Sequence, residues 1–421
     1  MLKAVLMTSA PCNSDDAKPY RFELRVSLLY FAAFIPSGIH LPYFPLWLEH
    51  QRFSPSEISF ILALPLFIRV LSAPTVSVIA DHSNDRANVF TVIALLSVIA
   101  VSAYFLPLGF LGVLFASIVF AAPWTSQTPV SDAIALSGVR RYGVDYAKLR
   151  VWGSISFLLS AFATGFLIQR FGAAIIPTLL FLTLILVFAV SLIVPRIGRP
   201  RRSSPLSEVD LADARRALRS PSFLVFLIGT GITQGSHAYN YSFSAIYWKS
   251  VHVSEGAIGA LWATSVLAEV AMFGLFQRFF GHFQPTKLLA IGSLAATLRW
   301  ASFPFIAPLG LAPVGFFASQ SLHAFSFAIT FLGLQKMIVR TVPEERVGAA
   351  QGLATALLGA ALASVTMISG PLYGAAGVHG FYVMGFLAMT GFGLALLSAR
   401  LEPRATQPQS DASGGKTRLS R

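Results

Sequence analysis

PRIGRPRRSSPLSEVDLADARRALRSP, residues 195–221, is the longest stretch of this chain too polar to cross a lipid bilayer. Apolar runs lie on both sides of it, each near the roughly 20 residues that a helix needs to span hydrocarbon. Before it the expected spans are 24–47, 57–80, 88–106, 109–136, 150–169 and 173–194. After it they are 222–247, 257–278, 286–306, 309–335, 348–372 and 378–399. The polar run is basic and rich in Pro and Ser. It reads as a linker on one membrane face, with a short amphipathic helix near 206–219 lying on the surface.

Composition agrees with this layout. Of 421 residues, 55% are hydrophobic and 12% charged, against roughly 25% charged in an average soluble domain. A soluble fold could not cover so much apolar surface, whereas a bilayer is itself the apolar solvent. The formal net charge is +13. The bases fall in short loops between apolar runs, which points to topology and anionic lipid headgroups, not to nucleic acid. Cys12 is the single cysteine, so neither a disulfide nor a thiolate metal site can form within one chain. The eight histidines are scattered with no pair at ligand spacing, and neither metal nor cofactor is expected.

The basic residues orient the chain. If both termini share the linker face, 26 of the 31 Lys and Arg lie on that face or at helix ends beside it. Arg52, Arg170 and Lys249 lie opposite, and Arg69 and Arg299 lie inside spans. The excess marks the linker face as cytoplasmic. The halves also resemble each other: Arg141 opens RYGVDYAKLR after span four, and Arg340 opens RTVPEERVGA after span ten, 199 residues later. Weak similarity at half-length is what a duplicated six-helix unit produces. The expected fold is therefore all-α and integral to the membrane, about twelve helices in two pseudo-symmetric six-helix bundles. Its parts are a cytoplasmic tail at 1–23, bundles at 24–194 and 222–400, the linker 195–221, and a disordered cytoplasmic tail at 401–421.

An ionisable side chain in hydrocarbon costs about 2.5–3.5 kcal/mol, so each must face protein or a watery cavity. Arg69 sits mid-span in LPLFIRVLSAP. Asp132, in TPVSDAIAL, and Arg150, in KLRVWGS, flank one short loop on consecutive helices, where they can pair or act as a gate. Span seven is the most polar, with Gln234, His237, Tyr239, Asn240 and Tyr241 in TQGSHAYNYSFSAIYW. It is expected to border a wet cavity, where its rings could stack on a cyclic substrate. Glu269, Arg299 and His323 occupy three consecutive spans at comparable depth. A carboxylate balanced between apolar surroundings and a guanidinium can load and release a proton as solvent access alternates, so Glu269 is the candidate proton carrier. A fixed Glu269–Arg299 pair is the structural alternative. Arg69 and Arg299 could each neutralise a carboxylate, which hints at an organic anion.

These strings carry a family resemblance. LPYFPLWLE, PVSDAIAL, DYAKLRVWGS, QGSHAYNYSFSAIYW, LWATSVLAEVAMF, LRW and SLHAFSF together resemble the major facilitator superfamily, and within it the phenylpropionate permeases, themselves similar to the lactose permease group. The resemblance covers roughly residues 20–400. It implies alternating access between two bundles, solute–proton symport, and an aromatic monocarboxylate as substrate. Glu269, Arg299 and His323 match the coupling residues of the lactose permease group in type and span. Arg150 with Trp152 resembles that group's substrate-contacting pair in span five, and Asp132 its span-four carboxylate. Two features depart. Ser326 stands where the sugar permeases place a second carboxylate, and the loop after span two is reduced to ADHSNDRAN, keeping Asp81 and Arg86 as gate candidates.

The expected activity is proton-coupled uptake of a small organic solute across a bacterial-type inner membrane by a monomer, its partners being protons, substrate and lipid. Symport of a sugar or nucleoside and drug efflux are the transport alternatives. A membrane-embedded enzyme would need a catalytic cluster, and no pair of His or carboxylates has that spacing.

Overall fold

A computed structural model describes residues 18–198, 219–341 and 347–402. The expected amphipathic helix at 206–219 and most of both tails therefore lie outside the described residues, as does the linker apart from its ends. Six helices precede the linker: α1 (Phe22–His50), α2 (Pro55–His82), α3 (Arg86–Val101), α4 (Phe110–Tyr142), α5 (Tyr146–Phe171) and α6 (Ile176–Ser191). After it come α7 (Pro221–Gly235), α8 (Ala238–Ser250), α9 (Glu255–Phe279), α10 (Pro285–Ser302), α11 (Val314–Ser321), α12 (Thr330–Thr341), α13 (Val347–Ala376) and α14 (Phe381–Leu401).

Local sequence sets these ends. Ser54 and Glu57 form a reciprocal capping box around Pro55 at the start of α2. Asp85, Asp145, Ser220 and Ser254 cap α3, α5, α7 and α9 through their side chains. Gly143, at φ 65°, terminates α4 in the left-handed region.

The second half departs from continuous helices in two places. The expected span 222–247 is broken between α7 and α8, where the His237 N–H reaches back to the Gln234 carbonyl at 3.1 Å. Between α11 and α12 lies a π-helical turn, Ala324–Ile329. Such turns widen the backbone and re-aim side chains, often at functional sites. Ten stretches among the described residues are long and apolar enough to cross a membrane. The last of them, Ala350–Leu401, holds both α13 and α14, whereas the broken α7–α8 pair falls short.

The halves repeat one packing pattern. In the first, α1 packs on α5 and α6, α4 on α2 and α3, and α3 on α6. In the second, α7 packs on α13 and α14, the π-helical turn on α9 and α10, and α10 on α14. Between the halves α2 meets α13 and α5 meets α9, again as related pairs. Glycine permits both crossings. A Cβ on Gly259 would lie 2.7 Å from the Ala161 carbonyl oxygen and 2.6 Å from Tyr43 Oη. One on Gly370 would lie 2.2 Å from Ser59 Oγ and 2.3 Å from the Pro55 carbonyl oxygen. Both crossings lie toward the face opposite the linker, where the halves are pinned together.

Candidate functional site

Two adjoining cavities lie between the halves. The larger, about 390 Å³, is walled by α1, α2, α4 and α5 together with residues of α8 and α13. Its end toward the face opposite the linker is aromatic. His40 stacks on Phe44 with ring centres 4.4 Å apart, and Trp124 stacks on Phe120 at 4.9 Å. Arg69 and Arg150 also line it, and among the described residues no Asp or Glu does. Arg69 forms no hydrogen bond or ion pair with any described residue, and Arg150 meets only rings, lying 4.1 Å from the centre of Phe34 and 5.5 Å from that of Tyr30. A guanidinium without an anionic partner in a partly apolar cleft is a ready anion contact.

The smaller cavity, about 240 Å³, contains Glu269, His323 and Asn240. Phe34, Leu41 and Tyr241 line both cavities and so form the partition. Glu269 Oε2 lies 3.9 Å from His323 Nε2, and its side chain is 22% exposed to the cavity. Behind His323 the Arg299 guanidinium donates to His323 Nδ1 at 3.2 Å, to Gln320 Oε1 and, at 3.5 Å, to Ser326 Oγ. His237 faces the Thr233 carbonyl through Nδ1 at 3.2 Å and Ser326 Oγ through Nε2 at 3.0 Å. Because a carbonyl only accepts, the His237 proton sits on Nδ1, and the Ser326 hydroxyl donates to Nε2. Asn240 and Trp262 line this cavity, and their buried Oδ1 and Nε1 atoms have no hydrogen-bond partner among the described residues.

Several sequence expectations are relocated by this geometry. Glu269, His323 and Arg299 do converge, but through His323, and no Glu269–Arg299 ion pair forms. Arg299 is fully buried and lines neither cavity, because α10 turns it toward Gln320 and the π-helical turn. Arg150, not Arg299, joins Arg69 in lining the larger cavity. Asp132 and Arg150 do not pair. Asp132 accepts from Tyr30 Oη at 2.6 Å and Tyr146 Oη at 3.1 Å, and Arg150 turns to the cavity. Trp152 is 44% exposed and lines neither cavity, since residues two apart on a helix point about 200° apart.

In the α7–α8 pair, Asn240 and Tyr241 reach the cavities, but Gln234 and Tyr239 do not. Gln234 donates to Thr330 Oγ1 at 2.8 Å, and Tyr239 donates to the Gly377 carbonyl. His237 stays one layer behind the cavity wall. Asp81 and Arg86 do meet, at 2.5 Å, and Arg86 also reaches Ser137 Oγ at 2.6 Å. All three belong to α2, α3 and α4, so this contact clamps the first half and does not bridge the halves. His40, Gln320 and the Trp124–Phe120 stack escaped sequence reasoning. A histidine in an otherwise apolar span was the available signal for the first.

A family profile described as the MFS_1 like family matches residues 23–384. The probable 3-phenylpropionic acid transporter of Escherichia coli (strain K12) is 28% identical over 364 residues, 86% of this chain and 94% of that protein. A maltose permease of Geobacillus stearothermophilus is 24% identical over 285 residues, 67% of this chain and 71% of its own. Among solved structures, the nucleoside transporter NupG aligns with a TM-score of 0.73 at 15% identity, covering 90% of this chain and 99% of its own.

Proposed function

This chain belongs to the MFS_1 like family, and on that footing we propose that it carries an aromatic monocarboxylate across the membrane together with a proton. It is an integral membrane secondary transporter of small molecules, not an enzyme. The observation that carries the substrate reading is the pair of guanidinium groups, Arg69 and Arg150, in an aromatic cavity whose lining holds no carboxylate. A neutral sugar or nucleoside would leave Arg69 without a counter-charge there. An aromatic acid gives the rings a stacking partner and the guanidinium groups an anion. The first of the relatives named above, a probable 3-phenylpropionic acid transporter, agrees with that chemistry.

Glu269 is the proposed proton carrier. It faces the smaller cavity, and the positive charge of Arg150 bears on it across the Phe34–Leu41–Tyr241 partition. His323 stands between Glu269 and Arg299, so Arg299 fixes the ring that addresses the carboxylate. Ser326, neutral where the sugar permeases carry an acid, accepts from Arg299 at 3.5 Å and donates to His237 at 3.0 Å. Coupling then rests on Glu269 alone in this cluster.

With the linker face in the cytoplasm of a bacterial-type cell, the described conformer is closed toward the outside by the Gly259 and Gly370 crossings. Rocking of 24–194 against 222–400, as a monomer with twelve crossings and both termini cytoplasmic, would alternate access. The test of the substrate class is a thermal-shift screen of the purified protein against aromatic acids, sugars and nucleosides, since ligand bound to the folded state raises its midpoint. Stabilisation by aromatic acids alone supports the reading, and stabilisation by sugars or nucleosides alone overturns it.

A further inference from the structure

We infer that His40, with Ser37 one turn before it on α1, forms a polar subsite that recognises a hydroxyl group on the far edge of the substrate's ring. The inference rests on the aromatic-acid reading above and deepens it from aromatic acids to ring-hydroxylated ones.

His40 stands among Phe44, Trp124 and Phe120, with ring centres 4.4, 4.7 and 6.2 Å away. None of these neighbours offers its ring nitrogens a hydrogen bond, and no described residue does. Ser37 also lines the cavity with its hydroxyl unpaired, although serines in a helix commonly satisfy themselves on the preceding turn. Two other polar groups at this end are engaged, Tyr104 Oη with Ser117 Oγ at 2.9 Å and Thr125 Oγ1 with the Ala121 carbonyl at 2.7 Å. An imidazole carries one donor and one acceptor nitrogen when neutral, and a phenol can use either. A polar group left without partners in an aromatic box disfavours an apolar ring edge and favours one that bonds to it.

The spacing fits. Counting 1.5 Å of rise per residue, His40 lies roughly 15 Å from the His50 end of α1, and Arg69 roughly 21 Å from the Pro55 end of α2. Those ends share one membrane face, so the two groups are offset by roughly 6 Å in depth. A carboxylate held at Arg69 on a short side chain therefore brings the far edge of its ring to the level of His40.

Affinities of the full-length protein in nanodiscs for 3-phenylpropionate and 3-(4-hydroxyphenyl)propionate, measured by calorimetry, test this. We expect the hydroxylated acid to bind roughly tenfold more tightly, as one added hydrogen bond allows. His40→Phe should bring the two acids to the same affinity, and His40→Gln should restore part of the preference. The thermal midpoint of each variant reports that it has folded. Equal affinities in the unaltered protein, or a preference that survives His40→Phe, would overturn the subsite while leaving the aromatic-acid reading intact. Binding of neither acid would overturn both.

Discussion

Arg299 donates to Nδ1 of His323 at 3.2 Å, and this single contact fixes which nitrogen His323 turns to the cavity. A guanidinium has no acceptor, so Nδ1 must be the bare nitrogen and Nε2 carries the proton of the neutral ring. That N–H faces the Glu269 carboxylate at 3.9 Å. Arg299 is thus linked to Glu269 through His323, not by direct pairing.

It follows that Arg299→Ala should cost stability more than substrate affinity. The change leaves Gln320 Oε1 and His323 Nδ1 unpaired in a buried site, a loss of roughly 2–4 kcal/mol. A lowered thermal midpoint, with the dissociation constant for 3-phenylpropionate within threefold, is the expected result. A large loss of affinity at an unaltered midpoint would return Arg299 to the substrate site.

Arg69→Ala should behave in the opposite way. Removing an unpartnered guanidinium costs the fold little, while a charge-assisted contact to a bound carboxylate contributes about 1.5–3 kcal/mol. Affinity for 3-phenylpropionate should fall roughly tenfold to hundredfold, and affinity for the uncharged amide of the same acid should not fall. Equal weakening of acid and amide would show that Arg69 supports shape and not charge.

Much of this was legible in the sequence, and the missing part has a physical cause. Hydropathy placed the helices to within a few residues because the bilayer imposes length and composition on each span. Ionisable residues in apolar runs marked Arg69, Glu269, Arg299 and His323 as interior groups. The direction each one faces is set by rotation about its helix and by neighbours from distant segments. Arg150 enters the cavity, as the span-five resemblance implied, whereas Arg299, expected there as well, withdraws to Gln320. The break at Ser236–His237 and the π-helical turn at Ala324–Ile329 shift register within a span, which a regular 3.6-residue period does not foresee. Gln234, before the break, turns to Thr330, and Tyr239, after it, turns to Gly377.

The glycine crossings predict a conformational bias. Gly259→Leu with Gly370→Leu forces side chains into space held by the Ala161 and Pro55 carbonyl groups, so the face opposite the linker should open. With Cys12 replaced by Ser and a reporter cysteine at Leu62 in the larger cavity, labelling of intact cells by an impermeant maleimide should rise severalfold. No change in labelling would mean that these crossings do not hold the face shut.

The central claim is that Glu269 carries the proton that drives uptake, and proteoliposomes with an imposed pH gradient test it most directly. The unaltered protein should accumulate 3-phenylpropionate above its external concentration. Glu269→Gln should exchange internal for external substrate yet fail to accumulate it. Full accumulation by Glu269→Gln would contradict the account.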